Sequence, residues 1–261
     1  MGQGRDMTEL RTNDAVLDNP IWASLTGAHA RFAQVHGRAA RYRPDISSFH
    51  MPADPGDPRA WADLAELAGP GGDVFVAGPG LTPPAGWTAP VVVGGVQMVD
   101  TGMAAAPDAE AVVLGEADLP DILDLVERTK PGPFRPRAIE LGAYLGIRRG
   151  GALIAMAGER LRPPGFTEIS AVCTDPGYRG QGLAARLMKA VAHGIRARDE
   201  TPFLHAAAVN TNAIRLYETL GFTVRTDVIF AVYRAPGEPA DTEPADTEPA
   251  GGSPGGEEES A

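Results

Sequence analysis

From residue 107 onward, apolar positions alternate between strand and helix periods at a regular spacing. The run 117–128 places Leu119, Ile122, Leu123 and Val126 on one helical face. Short apolar runs at 143–148 and 153–159 flank Arg149-Gly150-Gly151, which predicts a hairpin. A strand is predicted over 168–174, stopped by Asp175-Pro176-Gly177. A helix over 181–198 buries Leu183, Leu187, Val191 and Ile195. A strand over 203–209, a helix over 211–220 closed by Gly221, and a last strand over 228–234 complete this half. A further strand is expected over 110–114.

The first half is less regular. Trp22, Leu25, Ala28 and Phe32 recur at helical spacing within 21–35, and Trp61, Leu64, Ala65 and Ala68 do so within 60–68. Valine-rich runs at 73–77 and 90–99 predict strands, punctuated by Pro and Gly clusters at 52–58, 69–72 and 78–86. These boundaries divide the chain into a flexible N-terminus over 1–14, an α/β unit over 15–106, a regular α/β domain over 107–235 and a tail over 236–261. The tail repeats Glu-Pro-Ala-Asp-Thr and cannot bury apolar area, so disorder is expected there.

Charge changes little in this picture. The net charge is −11, but eight acids lie beyond Arg234, where no basic residue occurs, so the rest is only mildly acidic. With no basic stripe, nucleic acid is not an expected partner. Neither an 18-residue apolar run nor an apolar leader occurs, so no membrane partner is expected, and a cytoplasmic location is the default expectation. The lone Cys173 excludes an internal disulfide and a cysteine-based metal cluster; it reads as a packed, inert thiol in mid-strand. The five histidines show no metal spacing, and only His205, on a strand flanking the expected cleft, draws notice.

The chemistry centres on Tyr178-Arg179-Gly180-Gln181-Gly182-Leu183-Ala184, between a predicted strand and a predicted helix. Small residues allow close approach of the backbone, and the free N–H groups and dipole at a helix start attract an anion such as pyrophosphate. Downstream come Asn210 and then Tyr217, followed by Leu220-Gly221-Phe222. Taken alone, Arg179 also reads as a solvated arginine, Asn210 as a helix cap, Tyr217 as a core tyrosine and Glu168 as a strand-edge carboxylate.

The order Arg179-x-x-Gly182-x-Ala184, then Asn210, Ala213, Leu216, Tyr217, Gly221 and Phe222, resembles the GNAT superfamily of acyl-CoA N-acyltransferases, most closely its FR47-like branch. The resemblance covers about residues 108–235. It implies a mixed α/β sheet with helices on both faces, preceded by a smaller α/β domain that we expect to be a degenerate relative of the same fold. It implies acetyl-CoA as acyl donor, without a metal. Val172, Cys173 and Thr174 would offer backbone groups to the pantetheine, and Arg179, Gly180, Gln181, Gly182, Leu183 and Ala184 would receive the pyrophosphate, with Asn210 nearby. Tyr217 would protonate the leaving thiolate, and Glu168 would take a proton from the amine. The implied function is N-acetyl transfer to a primary amine by direct attack; a CoA-binding sensor without turnover is the alternative. The acceptor, a small molecule or a peptide, stays open, and a monomer or homodimer is expected.

Overall fold

The computed structural model describes residues 14–237. The expectations for 1–13 and for the acidic tail from 238 lie outside these residues. The first described segment forms a 3-10 turn, Asp14–Asp18, and helix α1, Pro20–Leu25, whose Asn19 cap accepts from the Trp22 N–H at 3.1 Å. The helix expected over 21–35 ends here, because Thr26 Oγ1 takes the Trp22 carbonyl and Gly27 follows. The remainder is recruited into a three-stranded antiparallel sheet: β1 (Ala33–His36), β2 (Ala39–Tyr42) and β3 (His50–Pro52). Helix α2, Pro58–Ala68, packs on it, begun by Asp57 as cap and ended at Gly69.

The main sheet has eight strands: β4 (Asp73–Gly78), β5 (Thr88–Asp100), β6 (Val112–Val113), β7 (Tyr144–Arg149), β8 (Ala152–Glu159), β9 (Phe166–Thr174), β10 (Thr201–Ala207) and β11 (Phe222–Arg234). Their order across the sheet is β4-β11-β5-β10-β9-β8-β7-β6. Only β9 and β10 pair in parallel. The sheet therefore runs through the boundary expected at 106/107: β5 lies between β11 and β10, and β4 forms one edge. Among the described residues, the rest of the first half has no sheet other than the small three-stranded one.

Three helices pack on the main sheet: α3 (Leu119–Thr129), α4 (Leu183–Arg196) and α5 (Thr211–Leu220). Alternation along the strands separates the two faces. Ile154, Ala155, Ile169 and Leu204 join Leu187, Val191 and Ile195 of α4 in one core. On the opposite face, Leu153 and Met156 meet Ile122 and Leu125 of α3. Phe166, Phe203, Ala231 and Tyr233 on that face share a continuous core with Leu17, Ile21, Tyr42, Trp61 and Leu64. The small N-terminal sheet is thus cemented to the main sheet by common apolar packing. Among the described residues no helix is long and apolar enough to cross a membrane.

Gly221 ends α5 with φ of 102°, and a Cβ there would sit 2.7 Å from backbone atoms of Gly102 and Met103. Gly180 also has positive φ, 78°, but nothing lies within 4 Å of its Cβ position. Gly221→Ala should lower the unfolding free energy by about 2–4 kcal/mol, and Gly180→Ala by only about 1 kcal/mol. Equal losses in urea denaturation would contradict this reading.

Candidate active site

The site begins where two strands part. β9 and β10 pair only from Phe166–Glu168 against Thr201–Phe203. Beyond Glu168 each strand keeps its outer neighbour: β9 stays with β8, and β10 with β5. The register between β8 and β9 slips once, Met156 facing Cys173 and Gly158 facing Ser170, so β9 carries one extra residue. Ala171, at φ 54°, lies in this bulge, an unusual conformation for a residue with a Cβ. The bulge bends β9 away from β10 and leaves its inner edge unpaired from Ile169 to Thr174.

A cavity of about 890 Å³ fills the fork. Val172, Cys173, Thr174, Arg179, Gly180, Gly182, Leu183, Ala184, Asn210 and Tyr217 line it. Gln181 and Glu168 do not. Arg160, His205 and the 169–171 bulge line it as well. Of these only His205 was flagged by the sequence; a bulge and a buried arginine leave no periodicity or motif to read. Gly180 and Gly182 both have positive φ, and Gly182 caps α4 with no side chain bonded to the first-turn N–H groups. Those donors face the cavity beside Arg179, whose Nε reaches the Thr174 carbonyl at 3.4 Å. Thr174 Oγ1 is buried without a hydrogen-bond partner, in a cavity wall. An unpaired strand edge, an orphan hydroxyl and an uncapped helix start fit an amide-bearing chain that ends in phosphates.

Asn210 caps α5, its Oδ1 accepting from the Ala213 N–H at 3.3 Å, and also lines the cavity. Tyr217 points from α5 into the same space, edge-on to Phe222 at 6.4 Å. Burial pushes its phenol up to about 12. Cys173 is buried against the α3 face, and burial raises its thiol, which disfavours the thiolate.

Glu168 has an unexpected setting. It is fully buried on the last rung shared by β9 and β10. Arg160 grips both carboxylate oxygens, Nε to Oε2 at 2.7 Å and Nη2 to Oε1 at 2.6 Å. His205 Nδ1 lies 2.7 Å from Oε1. Burial alone would raise this carboxyl; the charge and hydrogen bonds of Arg160, with His205, outweigh it and hold it at about 2. A carboxylate so held is a weak base. The chain of contacts continues across the sheet. Gln97 Nε2 donates to the Leu17 carbonyl at 2.8 Å and lies 3.1 Å from His205 Nε2. Arg225, the bulge residue of β11, donates to Gln97 Oε1 at 3.0 Å. These partners fix the Gln97 amide, so His205 Nε2 accepts from it and His205 Nδ1–H donates to Glu168.

The lowered pKa sets a sign for acid stability. Its contribution is complete above the unfolded value of 4.5 and is lost as pH falls through about 2. The shift is worth roughly 3 kcal/mol at 1.4 kcal/mol per unit. Glu168→Gln should lose about 3–5 kcal/mol at neutral pH, because Arg160 is left buried without its counter-charge. In urea unfolding from about pH 5 to about pH 3, the gap between wild type and variant should narrow. A gap independent of pH would contradict the ion pair.

Comparison with known proteins agrees with this geometry. The FR47-like protein family model matches residues 144–231. The N-alpha-acetyltransferase RimI of Mycobacterium tuberculosis is 31% identical over 159 residues, 59% of this chain and 92% of that protein. A GNAT-family acetyltransferase structure from Novosphingobium aromaticivorans is 38% identical, with a TM-score of 0.77, covering 86% of this chain and 99% of that one. A GCN5-related N-acetyltransferase from Kribbella flavida, 18% identical, shares the fold at a TM-score of 0.56, covering 85% and 96%. The strand fork, the glycine loop and the helix that carries Tyr217 stand in one chain with these relatives: it belongs to the GNAT superfamily of acetyltransferases.

Proposed function

We propose that the protein transfers an acetyl group from acetyl-CoA to a primary amine by direct attack, without a covalent enzyme intermediate. The observation that carries this reading is the fork between β9 and β10, which opens onto the uncapped start of α4 and has Tyr217 in its wall. The Mycobacterium tuberculosis relative, an N-alpha-acetyltransferase by name, supports an amine acceptor.

In this reading the inner edge of β9, with Val172, Cys173 and Thr174, holds the pantetheine amides, and the Thr174 hydroxyl gains the partner it lacks. The N–H groups from Arg179 to Ala184 receive the pyrophosphate, with the Arg179 side chain beside them. Bound CoA supplies the thioester that the amine attacks. The amine nitrogen forms the new bond to the carbonyl carbon, the bond from carbon to sulfur breaks, and the amine's proton ends on the thiol.

Tyr217 is assigned as the donor to the leaving sulfur. Its phenol, pushed up to about 12, is a weaker acid than an ordinary thiol, so complete transfer of its own proton runs uphill. Tyr217 therefore acts while the carbon–sulfur bond breaks, giving a hydrogen bond to the growing charge and keeping its proton, while the proton lost by the ammonium ends on the thiol. Glu168 is assigned a positioning role, fixing Arg160 and His205 at the apex of the fork.

Tyr217→Phe should lower kcat by about 10–100-fold and leave CoA affinity within about twofold. Thiol release with an amine panel measures the first, and calorimetry the second; equal losses would remove the donor role. Thr174→Val should weaken CoA binding by about three- to tenfold while leaving the free protein as stable or more so, since it removes an unpartnered hydroxyl. Unchanged CoA affinity would remove Thr174 from the binding site. Tight CoA binding without thiol release for any amine would replace the enzyme reading by a sensor.

A further inference from the structure

A second, smaller cavity adjoins the fork. It measures about 30 Å³, room for a group of a few heavy atoms, and shares Arg160, Ser170 and Ala171 with the larger one. Its other walls come from the N-terminal segment and the loop after α3. Ser47 and Ser48 follow β2, and Arg135 stands opposite, its Nε donating to Ser48 Oγ at 3.1 Å. Tyr144, at the start of β7, is only 2% exposed, and its hydroxyl has no hydrogen-bond partner among the described residues.

The polar groups here share one character. Arg160 uses Nε and Nη2 on Glu168, while Nη1 bonds to no protein group among the described residues; the exposed 18% of the side chain opens on the cavities it lines. Arg135 has no carboxylate within ion-pair distance among the described residues. No Asp or Glu lines either cavity, whereas Lys130, Arg160 and Arg179 line the larger one and Arg135 and Arg160 the smaller. An ammonium in the small cavity would meet the unpaired guanidinium of Arg135 and the free Nη1 donor of Arg160, whose charge Glu168 balances from behind the wall, and no carboxylate in the lining. A carboxylate there would receive donors from Arg160, Arg135, a serine hydroxyl and the Tyr144 hydroxyl.

We propose that the small cavity is a carboxylate subsite, so that the acceptor is an amine carrying a carboxylate a few bonds away, as in an α-amino acid. The inference rests on the acyl-transfer reading above and names its acceptor class. The carboxylate seats between Arg160 and Arg135, and the amine reaches the thioester beside the Ser170–Ala171 bulge that the two cavities share. Arg135 and Tyr144 are then specificity residues, not part of the acyl-transfer step.

The test uses the full chain with acetyl-CoA, the common α-amino acids and their C-terminal amides, and follows thiol release. The best free acid should exceed its own amide by about tenfold or more in kcat/KM. Arg135→Gln and Tyr144→Phe should raise KM for the acid by about five- to tenfold, with kcat and the amide's constants nearly unchanged. Amides, or neutral short peptide amides, that serve as well as the free acids overturn the subsite. So does an acid-to-amide ratio that neither variant moves. If no amine releases thiol although CoA binds, the acyl-transfer reading fails, and the subsite is judged separately by calorimetry with the CoA-loaded protein. There, binding of the free acids over the amides upholds it, and equal binding overturns it.

Discussion

The Glu168 carboxylate sits at the apex of the fork, and the site depends on how it is held. Parallel strands that part leave a wedge into which backbone polar groups open, and a wedge in a packed interior closes or fills unless something fixes its corner. Here a buried carboxylate between a guanidinium and an imidazole fixes it. The pair is costly to break from either side, because each partner left alone is a buried charge. Its directional bonds place Arg160 and His205 in the cavity wall at set angles, which apolar packing alone would not do.

The same corner joins the two parts of the chain. Arg160 lies over the Phe49 ring at 5.0 Å, and the polar row from Glu168 through His205 and Gln97 ends on the Leu17 carbonyl and, through Arg225, on Asp18. The N-terminal segment therefore packs against the main sheet through apolar residues and anchors to the active corner through polar ones. This explains why β5 can run inside the sheet although it precedes the helices of the second half in sequence. The side-chain amide of its fully buried Gln97 is held by partners from the N-terminal turn, β10 and β11.

Much of this was legible in the sequence because local chemistry wrote it there. The glycine loop, the Asn210 cap and the Gly221 stop depend on neighbouring residues alone, and α5 runs from Thr211 to Leu220 as the pattern predicted. Strand existence was legible too, since valine-rich runs need only a pleated surface. What the pattern could not give was partnership. The strands at 73–77 and 90–99 were visible, but nothing local says that they join the second half's sheet. The four-residue strands β1 and β2 are too short to show a period, and the 21–35 stretch kept a helical pattern that pairing overrode. Glu168 was picked out by position in its strand; its ion pair depends on Arg160, eight residues back across a turn, and on His205 from another strand.

The cleft therefore combines two kinds of recognition with different origins. Its donor end is backbone: an unpaired strand edge and an uncapped helix start, which any sequence with small residues at the right places can supply. Its other end is side chain, and the N-terminal segment contributes to it through Ser47 and Ser48 and through the Phe49 ring under Arg160. Backbone recognition tolerates substitution, since the peptide groups persist when side chains change. Side-chain recognition does not, and it follows whichever segment is packed against the fork. In the proposed reading, the binding of the donor follows from the shared fold, and the choice of acceptor follows from how residues 14–50 pack on it.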